Sequence, residues 1–138
     1  MTTIATLPTI SATELATRIR TYQGHLGEAP FAVVDVRDTD YIGGHIKGCI
    51  NIPFHSFELM LPSLIQRLAS KKTVIFHCAL SQQRGPSAAL KYIRELERLG
   101  NAGQCSVLLL TGGFSAWQTT YGKDSTLTED YSADIWGC

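Results

Sequence analysis

Short apolar runs alternate along this chain with longer stretches in which apolar residues recur at helical spacing. Phe31-Ala32-Val33-Val34-Asp35-Val36 is nearly continuous, as a parallel strand buried on both faces requires. Thr73-Val74-Ile75-Phe76 and Val107-Leu108-Leu109-Leu110 have the same character, and Cys49-Ile50-Asn51-Ile52 is a shorter run closed by Pro53. Between them lie predicted helices. Ser11-Ala12-Thr13-Glu14 is a capping box, with Ser11 at the N-cap and Glu14 three residues on. The helix it opens carries Leu15 and Ile19 on one face, before Gly24 and Gly27. Residues 59–68 repeat the pattern with Leu61, Leu64, Ile65 and Leu68 on one side. A third helix is predicted from Gly85-Pro86 through Ala89, Tyr92, Ile93, Leu96 and Leu99, where Gly100 stops it. Gly112-Gly113 leads into a fourth, short one bearing Phe114 and Trp117 as core residues. Alternating strands and helices predict an α/β fold with a central parallel sheet.

Composition narrows the class. A chain of 138 residues is of single-domain size and buries roughly two-thirds of its unfolded surface, enough to fold without staples. Twelve basic residues balance twelve acidic ones, which argues against a general nucleic-acid or membrane-surface binder. Its apolar runs are far shorter than the ~20 residues of a membrane span. The start of the chain has neither the basic residues nor the apolar core of a signal peptide. An intracellular location, cytoplasmic or nuclear, is therefore expected. The organisation expected is one domain over residues 1–122 followed by an acidic extension over 123–138. That tail is expected to be loosely packed, pinned by Tyr131, Ile135 and Trp136.

Cys49, Cys78, Cys105 and Cys138 form no Cys-x-x-Cys pair, so free thiols are expected rather than a zinc knuckle. His25 and His55 are isolated, and neither a metal nor an organic cofactor is expected. Asp35 is expected to be a buried hydrogen-bonding anchor. Arg37 is expected to pair with a carboxylate such as Asp40, with His45 supporting that loop.

The chemistry concentrates in Cys78-Ala79-Leu80-Ser81-Gln82-Gln83-Arg84-Gly85. A cysteine at a strand end is ordinarily a small buried hydrophobe. Here an arginine follows at the start of a helix, and the intervening loop can aim successive N–H groups at a tetrahedral oxyanion. Arg84 offers a planar, always-charged fork for two oxygens. The same N–H field favours the nucleophilic thiolate of Cys78. Cys78 and Arg84 are thus the candidate catalytic residues, and Ala79, Leu80, Ser81, Gln82, Gln83 and Gly85 the candidate substrate-binding ones. Strand alternation points the His77 side chain away from that of Cys78.

This loop resembles that of the rhodanese-fold phosphatases, the cell-division-cycle family that activates cyclin-dependent kinases. It is similar also to the arsenate reductases of that fold, and small single-domain fungal members are the nearest look-alikes. Val34-Asp35-Val36-Arg37-Asp38-Thr39-Asp40-Tyr41-Ile42-Gly43-Gly44-His45-Ile46-Lys47-Gly48 matches the family's first signature, and Gly112-Gly113-Phe114-Ser115-Ala116-Trp117 its last. The resemblance covers residues 8–122. It implies a rhodanese-like three-layer domain and a tyrosine or dual-specificity phosphatase with a phosphocysteine intermediate. Phosphoproteins or small oxyanions are the implied substrates. The alternative is an arsenate reductase served by external thiols such as glutathione and glutaredoxin. Sulfurtransferases of this fold have a loop one residue shorter than the seven from Cys78 through Arg84, which disfavours sulfur transfer. A non-catalytic rhodanese module is disfavoured by the intact Cys78 and Arg84. The kinase-activating phosphatases carry acidic residues inside the loop. Here all five are uncharged, so the general acid is unassigned. Val36 stands where those phosphatases have a second cysteine, so a protective disulfide to Cys78 from that position is excluded.

Overall fold

The structure is a computed structural model that describes residues 2–137. Its strands are β1 (Thr9–Ile10), β2 (Phe31–Asp35), β3 (His45–Ile46), β4 (Ile50–Asn51), β5 (Thr73–His77), β6 (Ser106–Leu110) and β7 (Thr128–Glu129). Its α-helices are α1 (Ala12–Thr21), α2 (Phe57–Arg67), α3 (Arg84–Arg98) and α4 (Gly113–Tyr121). Five strands build one parallel sheet in the order β1-β6-β5-β2-β4. The three apolar runs of the sequence are its centre, because a parallel strand between two helical layers must be apolar on both faces.

Strand alternation divides the core in two. Val34, Val74, Phe76 and Leu109 face α2 and α3, packing on Phe57, Leu64, Ala89 and Tyr92. Phe31, Val33, Ile75 and Leu110 face α1 and α4, packing on Leu15, Ile19, Phe114 and Trp117. The capping box of α1 is present, with the Glu14 N–H donating to Ser11 Oγ at 3.1 Å. The helix expected over 59–68 is α2, which begins slightly earlier and runs through Pro62. Among the described residues no helix is long and apolar enough to cross a membrane.

Two features were not foreseen. β1 is too short to show a period, and pairs Ile10 with Leu110 at the sheet edge. β3 and β7 form a separate antiparallel pair, His45 opposite Glu129 and Ile46 opposite Thr128. The tail is accordingly held more firmly than its acidic composition suggested. Leu127 is fully buried, and Thr128 Oγ1 accepts the Trp117 indole N–H at 2.9 Å while donating to the Tyr121 carbonyl at 2.7 Å. Trp136 Nε1 donates to the Gly43 carbonyl at 3.0 Å. Glu129, Asp130 and Asp134 are exposed, Tyr131 and Trp136 are half-buried, and Ile135, expected to help pin the tail, is exposed.

Candidate active site

β5 ends at His77, and the chain leaves the sheet at Cys78. It curls through residues 79–83 and becomes helical again at Arg84, the first residue of α3. Cys78 is buried. Its Sγ accepts the N–H of Ser81 at 3.2 Å and that of Gly85, in the first turn of α3, at 3.3 Å. Both donors, and the positive end of the helix, are aimed at the sulfur, where they favour negative charge. Ser81 reaches this position with φ +57°, a left-handed conformation that costs a non-glycine residue about 1–3 kcal/mol. Its Oγ is buried without a hydrogen-bond partner among the described residues.

The loop is gripped from behind. Phe114 and Ser115, at the start of α4, donate their N–H groups to the carbonyls of Cys78 (3.0 Å) and Ala79 (2.9 Å). This requires glycine at position 113, where φ is +59° and a Cβ would lie 2.4 Å from the Cys78 oxygen and 2.6 Å from that of Ala79. The Gly-Gly-Phe motif therefore serves the loop on the neighbouring strand. Gly113→Ala is expected to cost at least the ~1–3 kcal/mol of a left-handed non-glycine residue, plus displacement of the loop. Urea unfolding checks it: a midpoint equal to the wild type would show that the two backbones need not approach so closely.

The cavity above Cys78 has a volume of about 260 Å³ and is lined by Cys78, Ala79, Leu80, Gln82, Gln83 and Arg84. Of the candidate residues, Ser81 and Gly85 do not line it; their amides serve the sulfur instead. His77 lies on the opposite face of the sheet, beside Asp35, its partner in register. Its Nδ1 is 3.1 Å from the Cys78 carbonyl and its Nε2 3.7 Å from Asp35 Oδ2. Burial pushes its imidazole below the ordinary value, against the pull of Asp35. It supports the backbone of the loop and does not touch the sulfur.

The Arg84 guanidinium is held by two carboxylates. Its Nη1 donates to Asp40 Oδ1 (2.8 Å) and Asp38 Oδ2 (3.2 Å), and its Nη2 to Asp40 Oδ2 (2.7 Å). Arg84's hydrogen bonds hold the Asp40 carboxyl at about 2, against burial. Burial raises Asp38, but hydrogen bonds from the backbone and ring of His55 and from Arg84 outweigh it and leave the carboxyl below its ordinary value. Both groups are therefore carboxylates at neutral pH. Asp40 in return pushes the guanidinium further up.

This corrects two expectations. Arg37 does not pair with the Asp40 carboxylate. Its Nε and Nη2 clasp Asp35, with Nη2 2.8 Å from Oδ2, and both residues are fully buried. A carboxylate taken wholly out of water needs a buried cation, and Arg37 lies two residues away. Asp40, nearer the surface, offers Arg37 only its carbonyl, at 3.4 Å. Nor is His55 isolated: its Nδ1 is 2.8 Å from Asp38 Oδ1. His45 does support the loop, stacking on Tyr41 with ring centroids 5.3 Å apart. Asp38, Asp40 and His55 are the site residues that sequence reasoning missed. The signal available was a pair of carboxylates directly after the Asp35-x-Arg37 pair.

Comparison with known proteins agrees with the fold. Residues 11–120 match the family model described as a rhodanese-like domain, and the chain belongs to that family. It is similar to the CDC25-like phosphatase YCH1 of Saccharomyces cerevisiae, 44% identical over 117 residues and covering 78% of each chain. It is similar to arsenate reductase 2.2 of Oryza sativa subsp. japonica, 36% identical over 111 residues, covering 79% of this chain and 80% of the other. Among solved structures it superposes on yeast Ygr203w, described as a protein tyrosine phosphatase of the rhodanese family. That match has a TM-score of 0.84 and 38% identity, and covers 94% of this chain and 96% of the other. The chain is thus of the phosphatase or arsenate-reductase type within the family.

Proposed function

We propose that this protein is a cysteine-dependent phosphatase of the tyrosine or dual-specificity kind, acting on phosphoproteins. The carrying observation is that Cys78 Sγ, with two N–H donors on it, lies in the same cavity as Arg84. Cys78 attacks phosphorus in line with the ester oxygen, forming the S–P bond as the P–O bond breaks. Water then attacks the phosphocysteine and returns the thiolate and inorganic phosphate. Arg84 and the free N–H groups of the loop stabilise charge on the equatorial oxygens.

The leaving oxygen must be protonated or be stable as an anion. The loop carries no acid, and the nearby Asp38 and Asp40 are held ionised by their partners, so neither has a proton to give near neutral pH. Activated aryl phosphates should therefore be hydrolysed far faster than alkyl phosphates, with rates falling steeply as the leaving group's pKa rises. A series of substituted phenyl phosphates tests this, and a flat series would reveal an efficient acid elsewhere.

A second reading, arsenate reduction, is favoured by the similarity to the rice reductase and by the uncharged loop. There the thiolate attacks arsenic, and two thiols are oxidised to a disulfide as As(V) becomes As(III). One preparation assayed on phosphotyrosine peptide, on arsenate with glutathione and glutaredoxin, and on thiosulfate with cyanide separates these readings from sulfur transfer.

A further inference from the structure

Asp40 and Asp38 contact Arg84 in a particular way. Arginine has five N–H donors in a fixed plane. Asp40 takes the end of the fork, one oxygen on each terminal nitrogen, and Asp38 takes the outer hydrogen of Nη1. The edge formed by Nε and the second Nη2 hydrogen has no partner among the described residues. That edge is itself a two-pronged donor of the spacing a tetrahedral oxyanion accepts.

The segment that bears these carboxylates is rigidly held. Arg37, clasped to Asp35, also donates to the carbonyls of Gly44 at 2.9 Å and Asp40 at 3.4 Å, and its guanidinium lies 4.4 Å from the centre of the Phe114 ring. The Asp38 N–H donates to Asp40 Oδ1 at 2.9 Å. Asp38 Oδ1 is in turn held by the His55 N–H at 3.0 Å.

We propose that Asp40, with Asp38, is a positioning residue for Arg84. The two carboxylates hold the end of the guanidinium so that its Nε–Nη2 edge is presented to the oxyanion above Cys78. The buried Asp35–Arg37 pair is the anchor of this aiming device. The inference rests on the reading of the Cys78 loop as an oxyanion site. It adds a role to carboxylates that would otherwise merely compete with the substrate for the arginine.

The test is a double-mutant cycle on p-nitrophenyl phosphate. Asp40→Asn should lower kcat about 10²-fold, the cost typical of a reacting group held out of place, with a smaller change in KM. In an Arg84→Lys background the same change should cost little more, because there is no fork left to aim. Full loss in both backgrounds would overturn the proposal, as would an Asp40→Asn enzyme that is as fast as the wild type or binds phosphate more tightly. Asp38→Asn is the second variant, expected to lose less because it releases one bond. Calorimetry with tungstate on the Cys78→Ser protein needs no turnover. Adding Asp40→Asn should weaken tungstate binding about tenfold, whereas equal binding overturns the aiming role. A wild type that binds tungstate but hydrolyses no phosphate ester would sink the phosphatase reading alone.

Discussion

Cys78→Ser should reduce phosphatase turnover to the floor of the assay while leaving the fold and oxyanion binding in place. The hydroxyl is a far weaker nucleophile than a thiolate, and two N–H donors with a helix terminus cannot make it an alkoxide at neutral pH. Little else changes. The serine oxygen is smaller than sulfur and can accept the same Ser81 and Gly85 N–H groups. The carbonyls of Cys78 and Ala79 stay bound to α4. Residual turnover in a preparation shown by mass spectrometry to be free of wild type would count against covalent catalysis by this residue. Cys49→Ser and Cys105→Ser should keep their activity. Cys49 is packed beside Tyr41, with its thiol pushed up to about 12 chiefly by burial, and burial also raises that of Cys105. Cys138 lies outside the described residues, and Cys138→Ser is expected to be equally active. Loss of activity in any of these under reducing conditions would bring a second thiol into the cycle and favour arsenate reduction.

The second large effect is expected at Arg84. Lysine keeps the charge but is a point donor on a flexible stem, so it cannot occupy Asp40 with one edge and the substrate with the other. Losing a transition-state donor of this kind costs about 10²–10³ in rate. Arg84→Lys should therefore lower kcat by about that factor, with a smaller rise in KM. A change confined to KM would mean that Arg84 binds ground state and transition state equally. The structure also predicts how a lysine would fail. Asp38 and Asp40 both remain, and a single ammonium between two carboxylates is drawn toward them and away from the oxyanion.

Much of this site could be read from the chain because its parts are close in sequence. Cys78, Ser81, Arg84 and Gly85 are joined by one short loop, and a strand end, a left-handed turn and a helix start leave that loop few ways to fold. The split of His77 and Cys78 between the two faces of the sheet follows from strand alternation alone. Asp35 is a buried anchor as expected, since a carboxylate inside an apolar strand must find a partner. The misassigned partner of Arg37 has a local origin. Arg37 and Asp40 are three residues apart and of opposite charge, and sequence proximity suggested a bond that burial then redirected to Asp35.

Sequence by itself thus determined the alternation of strands and helices, the parallel sheet and the strand-loop-helix segment that carries Cys78 and Arg84. These rest on contacts made within a turn or two, or on the period of apolar residues, and both are written into local spacing. Only the tertiary structure decided what holds Arg84. Asp38 and Asp40 are 46 and 44 residues from it. They reach it because β2 and β5 are neighbours in register, Asp35 beside His77, so the loops that leave these strands emerge at the same edge of the sheet. The tertiary structure likewise decided that Gly113 backs the Cys78 loop and that Thr128, beyond α4, closes over Trp117. Each of these contacts depends on strand order, and strand order is set by the packing of the whole sheet between its helices rather than by any segment of it.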